Sequence, residues 1–526
     1  MNHFYHFLIA AIVFVSLIFT LTTLPRALNP VPPSKEKIEA DERWVNTSPY
    51  WLDRQACRWL SLCGLMHVRP DKPTRAETYG KGTCGNVERR AAVQIKSTTN
   101  SSSGSITNAE KEKKKRRRIP DYVLNYAPLV HLYSDEHFWP SDIQDHIQHV
   151  TPYIDDTPLN LTEPLSLANL GQLNSHQPGG GILTLKSNDN VECRPTWLHS
   201  TANIPVPFPV DDDDEEDEEE GEYDTGSPEK QPLDETTTTW YDVDKTHPLR
   251  RIADPRKVPR RKPQLLTREQ RRIAARSEIN KPNREGYSKA PATLILVDKG
   301  SDIVDAFWFF FYAYNLGQTV LGTRYGNHVG DWEHAMIRFE SGVPRAMFFS
   351  EHEGGQAYAW QAVEKKRNRE GDGNGDGNGD GLRNETRPVL YSAVGSHAMY
   401  AMQGDHPYVL PFKMLKDQTD RGPLWDPSMN FRSYWYDYEG EEGEGLEPSE
   451  ENPDAPVDWF HYKGQWGDKM YGLDDERQWR LFGQYHYVTG PQGPKYKSLG
   501  RRKVCQKSKC RILHSIAEGQ KSSWHS

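Results

Sequence analysis

The sequence predicts a mainly β chain: an antiparallel β-sandwich-like domain with some helices and long disordered insertions, preceded by an N-terminal membrane helix. Three observations predict it. Aromatic and β-branched residues are gathered into short runs punctuated by glycine, such as "TLILVDKGSDIVDAFWFFFYAYN" and "RAMFFSEHEGGQAYAW", which fit packed strands better than helices. Polar and single-sign stretches separate those runs, and hydrophobic residues make up only 36% of the 526, so much of the chain cannot bury itself. The third observation is "FYHFLIAAIVFVSLIFTLTTL", Phe4 to Leu24, close to the ~20 apolar residues that a helix needs to cross a bilayer.

The elements follow in order. Residues 1–3 form a short tail before the 4–24 segment, which reads as a signal-anchor or a cleaved signal peptide; the missing charged start and cleavage site favour the anchor. Arg26, Lys35 and Lys37 after it would hold the rest in the cytosol. Four N-x-[ST] sequons, at Asn46, Asn100, Asn160 and Asn384, and an even number of cysteines argue instead for a lumenal chain on the secretory pathway or in the vacuole. Residues 25–119 read as a stalk and a Cys-containing low-order region ending in "KEKKKRRR". That basic run is expected as a solvated loop and not as a nucleic-acid contact, because a membrane segment lies upstream. Six cysteines allow 15 pairings. Short loops favour Cys57 with Cys63 and Cys505 with Cys510, leaving Cys84 for Cys193, and no CxxC pair suggests zinc.

A single β-rich domain is expected over 120–504, with insertions at 205–282, 366–384 and 439–456. "YAPLVHLY" reads as a strand and the sequence near Ser141 as a capped helical turn. The insertion at 205–282 holds "DDDDEEDEEE" and a basic stretch after it, both solvated. "GDGNGDGNGDG" imitates half of a calcium loop, but Arg383 stands where a bidentate Glu belongs. Residues 505–526 form a C-terminal tail. The net charge of −9 says little about partners, since the two signs are segregated into runs.

Chemistry concentrates in "GNHVGDWEHAMIRF", Gly326 to Phe339. On a strand, Asp331 and Glu333 share one side with Ala335, Ile337 and Phe339. Two carboxylates turned toward a core need positive charge, from an arginine, from backbone donors or from a cation. Ca²⁺, Mg²⁺ or Mn²⁺ would suit Asp331 and Glu333 with His328 as a partial shell. His334, His352, His397 and Trp332 are expected around the same rim, which a glycan or lipid could contact. The competing bland reading is an Asp bonded to a turn and a Glu paired with an arginine. No GxSxG, HExxH, Walker loop or GxGxxG occurs in the folded part, so no catalytic residue is assigned. A binding protein is preferred to an enzyme, with a metal-dependent hydrolase of glycans or lipids, or a secreted cytolysin-like lipid-binding protein, as the alternatives.

The segments "YAPLVHLYSDEHFWPSD", "FFFYAYN", "NHVGDWEHAMIRF", "FFSEHEGG", "RPVLYSAVGSHAMY", "GQWGD" and "GPQGP" occur in an order that resembles the vacuolar protein sorting protein 62 family of fungi and its plant relatives of unknown function. The resemblance covers most of the unbiased sequence from Tyr122 to about Lys497 and implies a role in protein delivery to the vacuole. A fainter likeness is to the necrosis- and ethylene-inducing-like proteins, secreted cytolysins with a β-sandwich and a divalent cation. Their motif GHRHDWE looks like "GNHVGDWE": Asp331 and Glu333 match its acids, His328 falls nearest its first histidine, and Gly330 replaces its second.

Overall fold

The computed structural model describes residues 34–70, 116–177, 181–200, 280–352, 354–367, 386–407, 415–440, 445–507 and 509–522, together with Ile12 and Ser16. The chain divides into a unit formed by 1–204 and 279–526 and a second unit, 205–278, which lies outside the described residues. The fold below is that of the first unit.

It begins with two helices, α1 (Lys35–Asn46) and α2 (Trp51–Leu60). Ser34 caps α1 by accepting from the Lys37 amide, and Ser61, in the left-handed conformation, ends α2. Strands dominate the rest. The strands used below are β1 (Leu129–His131), β2 (Val150–Ile154), β3 (Leu183–Ser187), β4 (Ala292–Asp298), β5 (Ile303–Asn315), β6 (His328–Glu340), β7 (Val343–Glu351), β8 (Gly354–Ala359), β9 (Thr386–Ser392), β10 (Met399–Tyr400), β11 (Lys416–Thr419), β12 (Leu424–Trp425), β13 (Phe431–Tyr436), β14 (Leu446–Pro448) and β15 (Ile512–Leu513).

An eight-stranded sheet in the order β14-β13-β4-β5-β6-β7-β8-β15 is the centre. Its pairs are antiparallel except β13 with β4 and β8 with β15. β5 and β6 are each 13 residues long and nearly every side chain on them is buried, because both faces of the sheet are covered. On one face lie β1, β9, β10 and β12 of a smaller sheet, packing Val130, Leu390, Met399 and Trp425 against Trp308, Phe310, Ala335 and Ile337. On the other lie β2 and β3, with Trp459, Phe460 and Trp466 packing against Phe309, Phe311, Trp332 and Met336. A sheet buried on both faces needs unbroken apolar runs, which "FWFFFYAY" supplies.

The chain is therefore mainly β with few helices, as a sandwich requires. Among the described residues no helix is long and apolar enough to cross a membrane, and the expected segment 4–24 lies outside them apart from Ile12 and Ser16. The capped helical turn expected near Ser141 is Ile143–His146, with Asp142 as its cap. Other local expectations change. Part of the expected low-order stalk, 34–70, folds and docks on the body: Trp44 Nε1 donates to the Tyr471 carbonyl at 2.8 Å, and Leu62–Cys63 pairs with Arg480–Leu481. Within 439–456, β14 adds the outermost strand of the central sheet. The half-calcium loop at 371–381 lies outside the described residues.

Candidate functional site at the carboxylate end of the central sheet

On β6 the side chains alternate as the sequence implies. Ala335, Ile337 and Phe339 join the core beneath the smaller sheet, and Asp331 and Glu333 continue that face, only 6% and 4% exposed. Gly330 has φ +67°, and a Cβ there would come within 2.3 Å of the Trp466 carbonyl oxygen. Only glycine fits this close approach, so the second imidazole of the cytolysin motif has no room in this chain.

Asp331 meets an imidazole. His397, fully buried in the turn between β9 and β10, has Nδ1 3.0 Å from Asp331 Oδ2 and Nε2 3.7 Å from Glu136 Oε1. Its ring stacks on Tyr312 with centroids 3.6 Å apart. Burial alone would drive the proton off, but Glu136 and Asp331 outweigh it and push the pKa up to about 9. Glu136 is held in turn. Burial opposes its charge, yet His397 and backbone donors keep its pKa below the usual value. Its Oε1 accepts from the amides of His137 at 2.7 Å and Phe138 at 3.0 Å, and its Oε2 from Gly395 at 3.1 Å. His397 thus joins the central sheet to the β9–β10 turn, hydrogen-bonded to Asp331 through Nδ1 and facing the Glu136 charge with Nε2, which has no hydrogen-bond partner.

A second hub lies beside it. Asp417 on β11 is fully buried and accepts from Ser396 Oγ at 2.8 Å, Tyr400 OH at 2.8 Å and Gln318 Nε2 at 3.0 Å. His352 Nε2 pairs with it at 2.8 Å, with that side chain 38% exposed. Burial works against His352 as a cation, but Asp417 prevails and its pKa rises to about 9.

Glu333 and Glu351 complete the cluster. The β6–β7 ladder ends with Ala335 paired to Phe349, and Glu333 and Glu351 lie two residues beyond that last pair on their strands. The Ser350 hydroxyl donates to Glu333 Oε2. Burial, then the charge of Asp331, pushes the Glu333 pKa up to about 8, and burial does the same for Glu351. Glu351 Oε1 is buried without a hydrogen-bond partner. His328 is close but turned away, its Nδ1 lying 2.7 Å from the Gly330 carbonyl; burial lowers its pKa. Among the described residues no three His, Cys, Asp or Glu side chains are spaced to hold a metal ion.

The structure does not bring Trp332 and His334 to this rim. Both are fully buried on the opposite face. Trp332 stacks parallel to Trp459 at 5.9 Å and meets Trp466 edge-on at 5.3 Å. The His334 ring packs on Phe309 at 5.0 Å, neither ring nitrogen has a hydrogen-bond partner, and burial, with Arg501 and Lys497 nearby, drives its pKa well down. Glu136, Asp417 and Glu351 escaped assignment as site residues. "SDEHFW" and "MLKDQT" give no sign of where Glu136 and Asp417 go, although Glu351, close to Glu353 in the sequence, stands out as one of a carboxylate pair of the kind a glycosidase uses.

Outside the site, Cys57–Cys63 and Cys505–Cys510 are disulfides as the spacing suggested. Cys193 is also disulfide-bonded, while Cys84 lies outside the described residues. Asn46 and Asn160 are exposed; Asn100 and Asn384 lie outside the described residues.

Two Saccharomyces cerevisiae proteins resemble the chain. It is 35% identical over 407 residues to the protein named putative vacuolar protein sorting-associated protein TDA6, covering 74% of this chain and 68% of that one. It is 34% identical over 413 residues to vacuolar protein sorting-associated protein 62, covering 77% and 71%. No protein-family model matches, and no solved structure gives a significant match. Identity at this level over three quarters of the chain settles kinship: the chain belongs to the family of vacuolar protein sorting-associated protein 62.

Proposed function

We propose that this chain acts in vacuolar protein sorting from the lumenal side of a secretory or vacuolar membrane, tethered by segment 4–24. In this reading the carboxylate end of the central sheet binds a cationic ligand, a divalent cation such as Ca²⁺, Mg²⁺ or Mn²⁺ being the simplest. The sorting role rests on the names of the two yeast relatives. The lumenal side is supported by the disulfides and the exposed sequons at Asn46 and Asn160.

One observation carries the binding site: Glu333 is buried, Glu351 is half-buried with Oε1 enclosed and unpartnered, and burial pushes both pKa values up to about 8, which favours bound protons over bare charge there. An entering cation would displace those protons and give Glu351 Oε1 the partner it lacks. Oxygen donors suit hard cations. The fit is partial, since Asp331 is turned to His397 and His328 to a carbonyl. Water or ligand oxygens would complete any metal shell around Glu333 and Glu351.

The test is calorimetric titration of the chelator-treated chain with Mn²⁺ in two buffers of different ionisation enthalpy. Binding with proton release is expected, and Glu333→Gln with Glu351→Gln should abolish it. No heat, together with no metal by elemental analysis, would remove the site. A second reading is favoured by the same protonated Glu333, which has the state required of a general acid. Turnover of a glycan or lipid that depends on Glu333 would select a hydrolase over a binding protein.

A further inference from the structure

The N-terminal helical block carries a feature that the carboxylate site does not explain. Its inner side is fixed: Trp44, Val45, Cys57, Cys63 and Leu473 form one buried cluster, and the Leu473 amide donates to Thr47 Oγ1 at 2.7 Å. Several of its large apolar residues are bare. Trp51 is 62% exposed, Leu52 74%, Trp59 79% and Met66 87%. Leu52 and Trp59, seven residues apart, share one stripe of α2, opposite Cys57. The acid of this helix is turned away, since Asp53 accepts from the Gly64 amide at 2.8 Å. Arg54 donates to the Ser48 carbonyl. Arg58 is exposed on the same helix and donates to Asn46 Oδ1 at 2.6 Å, while the exposed acids of the block, Glu36, Glu39 and Glu42, lie on α1.

We infer that this face, with Trp51, Leu52, Trp59 and Met66, lies in the headgroup and acyl boundary of the membrane that segment 4–24 enters, an inference that rests on the tethered reading above. The chain length favours a bilayer over other occupants. Ten residues, 25–34, separate Leu24 from α1; fully extended they span at most about 35 Å. A rigid face that exposes two tryptophans at the end of so short a leash is held next to lipid. Tryptophan prefers the interface, where its ring is buried and its N–H stays wet. Because the block is pinned to the body through Trp44 and Leu473, lipid contact here would fix which way the body faces from the membrane.

The test uses the full chain in phosphatidylcholine vesicles containing phosphatidylserine and a trace of lipid with a photoactivatable acyl chain, followed by peptide mapping. Adducts are expected within 50–66 as well as within 4–24. The variant Trp51→Ser, Leu52→Ser, Trp59→Ser, Met66→Ser should lose the first set and keep the second, with the Cys57–Cys63 bond intact as a check on folding. Labelling of 4–24 without 50–66 would overturn the inference and leave the tether standing. Labelling of 50–66 without 4–24 would support the docking face and contradict the tether; labelling of neither would overturn both. A chain that is dimeric in detergent, and that this variant renders monomeric, would make the face a self-interface and overturn lipid docking.

Discussion

The two faces of β6 carry different residues into different surroundings. On one, Asp331 and Glu333 enter a polar network; on the other, Trp332 and His334 enter an aromatic core. Each face meets a fully buried histidine, and their surroundings set the difference. His397 lies between Glu136 and Asp331 and is pushed up to about 9, whereas His334 faces Arg501 and Lys497 without a hydrogen-bond partner and is driven down. Burial alone would neutralise both. A buried charge persists only where opposite charge is built around it, and one face of this strand builds it while the other excludes it.

Breaking the aromatic face should have the largest effect. Trp332→Ala removes a ring packed on Trp459, Trp466 and Phe311 and should cost about 4 kcal/mol in denaturant unfolding; a loss below about 1 kcal/mol would mean that this face does not hold the fold. Next is the charged face. His397→Leu leaves Glu136 and Asp331 facing each other in the core and should cost about 3 kcal/mol. Adding Asp331→Asn to it should restore much of that loss, and unfolding that ignores the second change would break the proposed coupling.

The pH dependence separates the faces without mutation. His397 and His352, raised from 6.5 to about 9, and Glu333 and Glu351, raised from 4.5 to about 8, all bind protons more tightly in the folded chain. Stability falls with rising pH wherever the folded state holds the extra protons. The imidazole contribution is complete below 6.5 and lost toward about 9; the carboxyl contribution is lost between 4.5 and about 8. From pH 6.5 to 8 all four run downward, so unfolding followed across that window should show a steady decline. His146 and His406, lowered from 6.5 to about 4 by burial, act oppositely and destabilise only as pH falls below 6.5. A flat profile from 6.5 to 8 would contradict the charged network. The smallest effect belongs to His334→Leu: no hydrogen bond is lost, so stability should stay within about 1 kcal/mol of the parent, and a large loss would mean that His334 has a partner.

Much of this was legible along single strands and little of it across them. Period-two alternation was enough to put Asp331 and Glu333 on one face, and the six- and five-residue separations of the paired cysteines were enough for two disulfides. The partners of the acids were not readable in the same way. His397 lies 66 residues from Asp331, and Glu136 reaches Gly395 across 259, so their meeting is decided by how the smaller sheet covers the central one. Trp332 and His334 were expected at the rim because one face was taken as solvent-facing, and β2 and β3 cover that face instead. The two N-terminal helices were legible from the Ser34 cap and the amphipathic spacing of "WLDRQACRWL", but proline and charge before them read as stalk.

The claim on which the rest depends is that the chain supplies its own cation to the buried acids. Nitrogen NMR of histidine-labelled chain, assigned by His397→Gln, measures it directly: at pH 7.5 both ring nitrogens of His397 should carry protons and exchange slowly with water, while His334 shows a neutral ring. A neutral His397 at that pH would contradict the account and return the buried acids to an unexplained state.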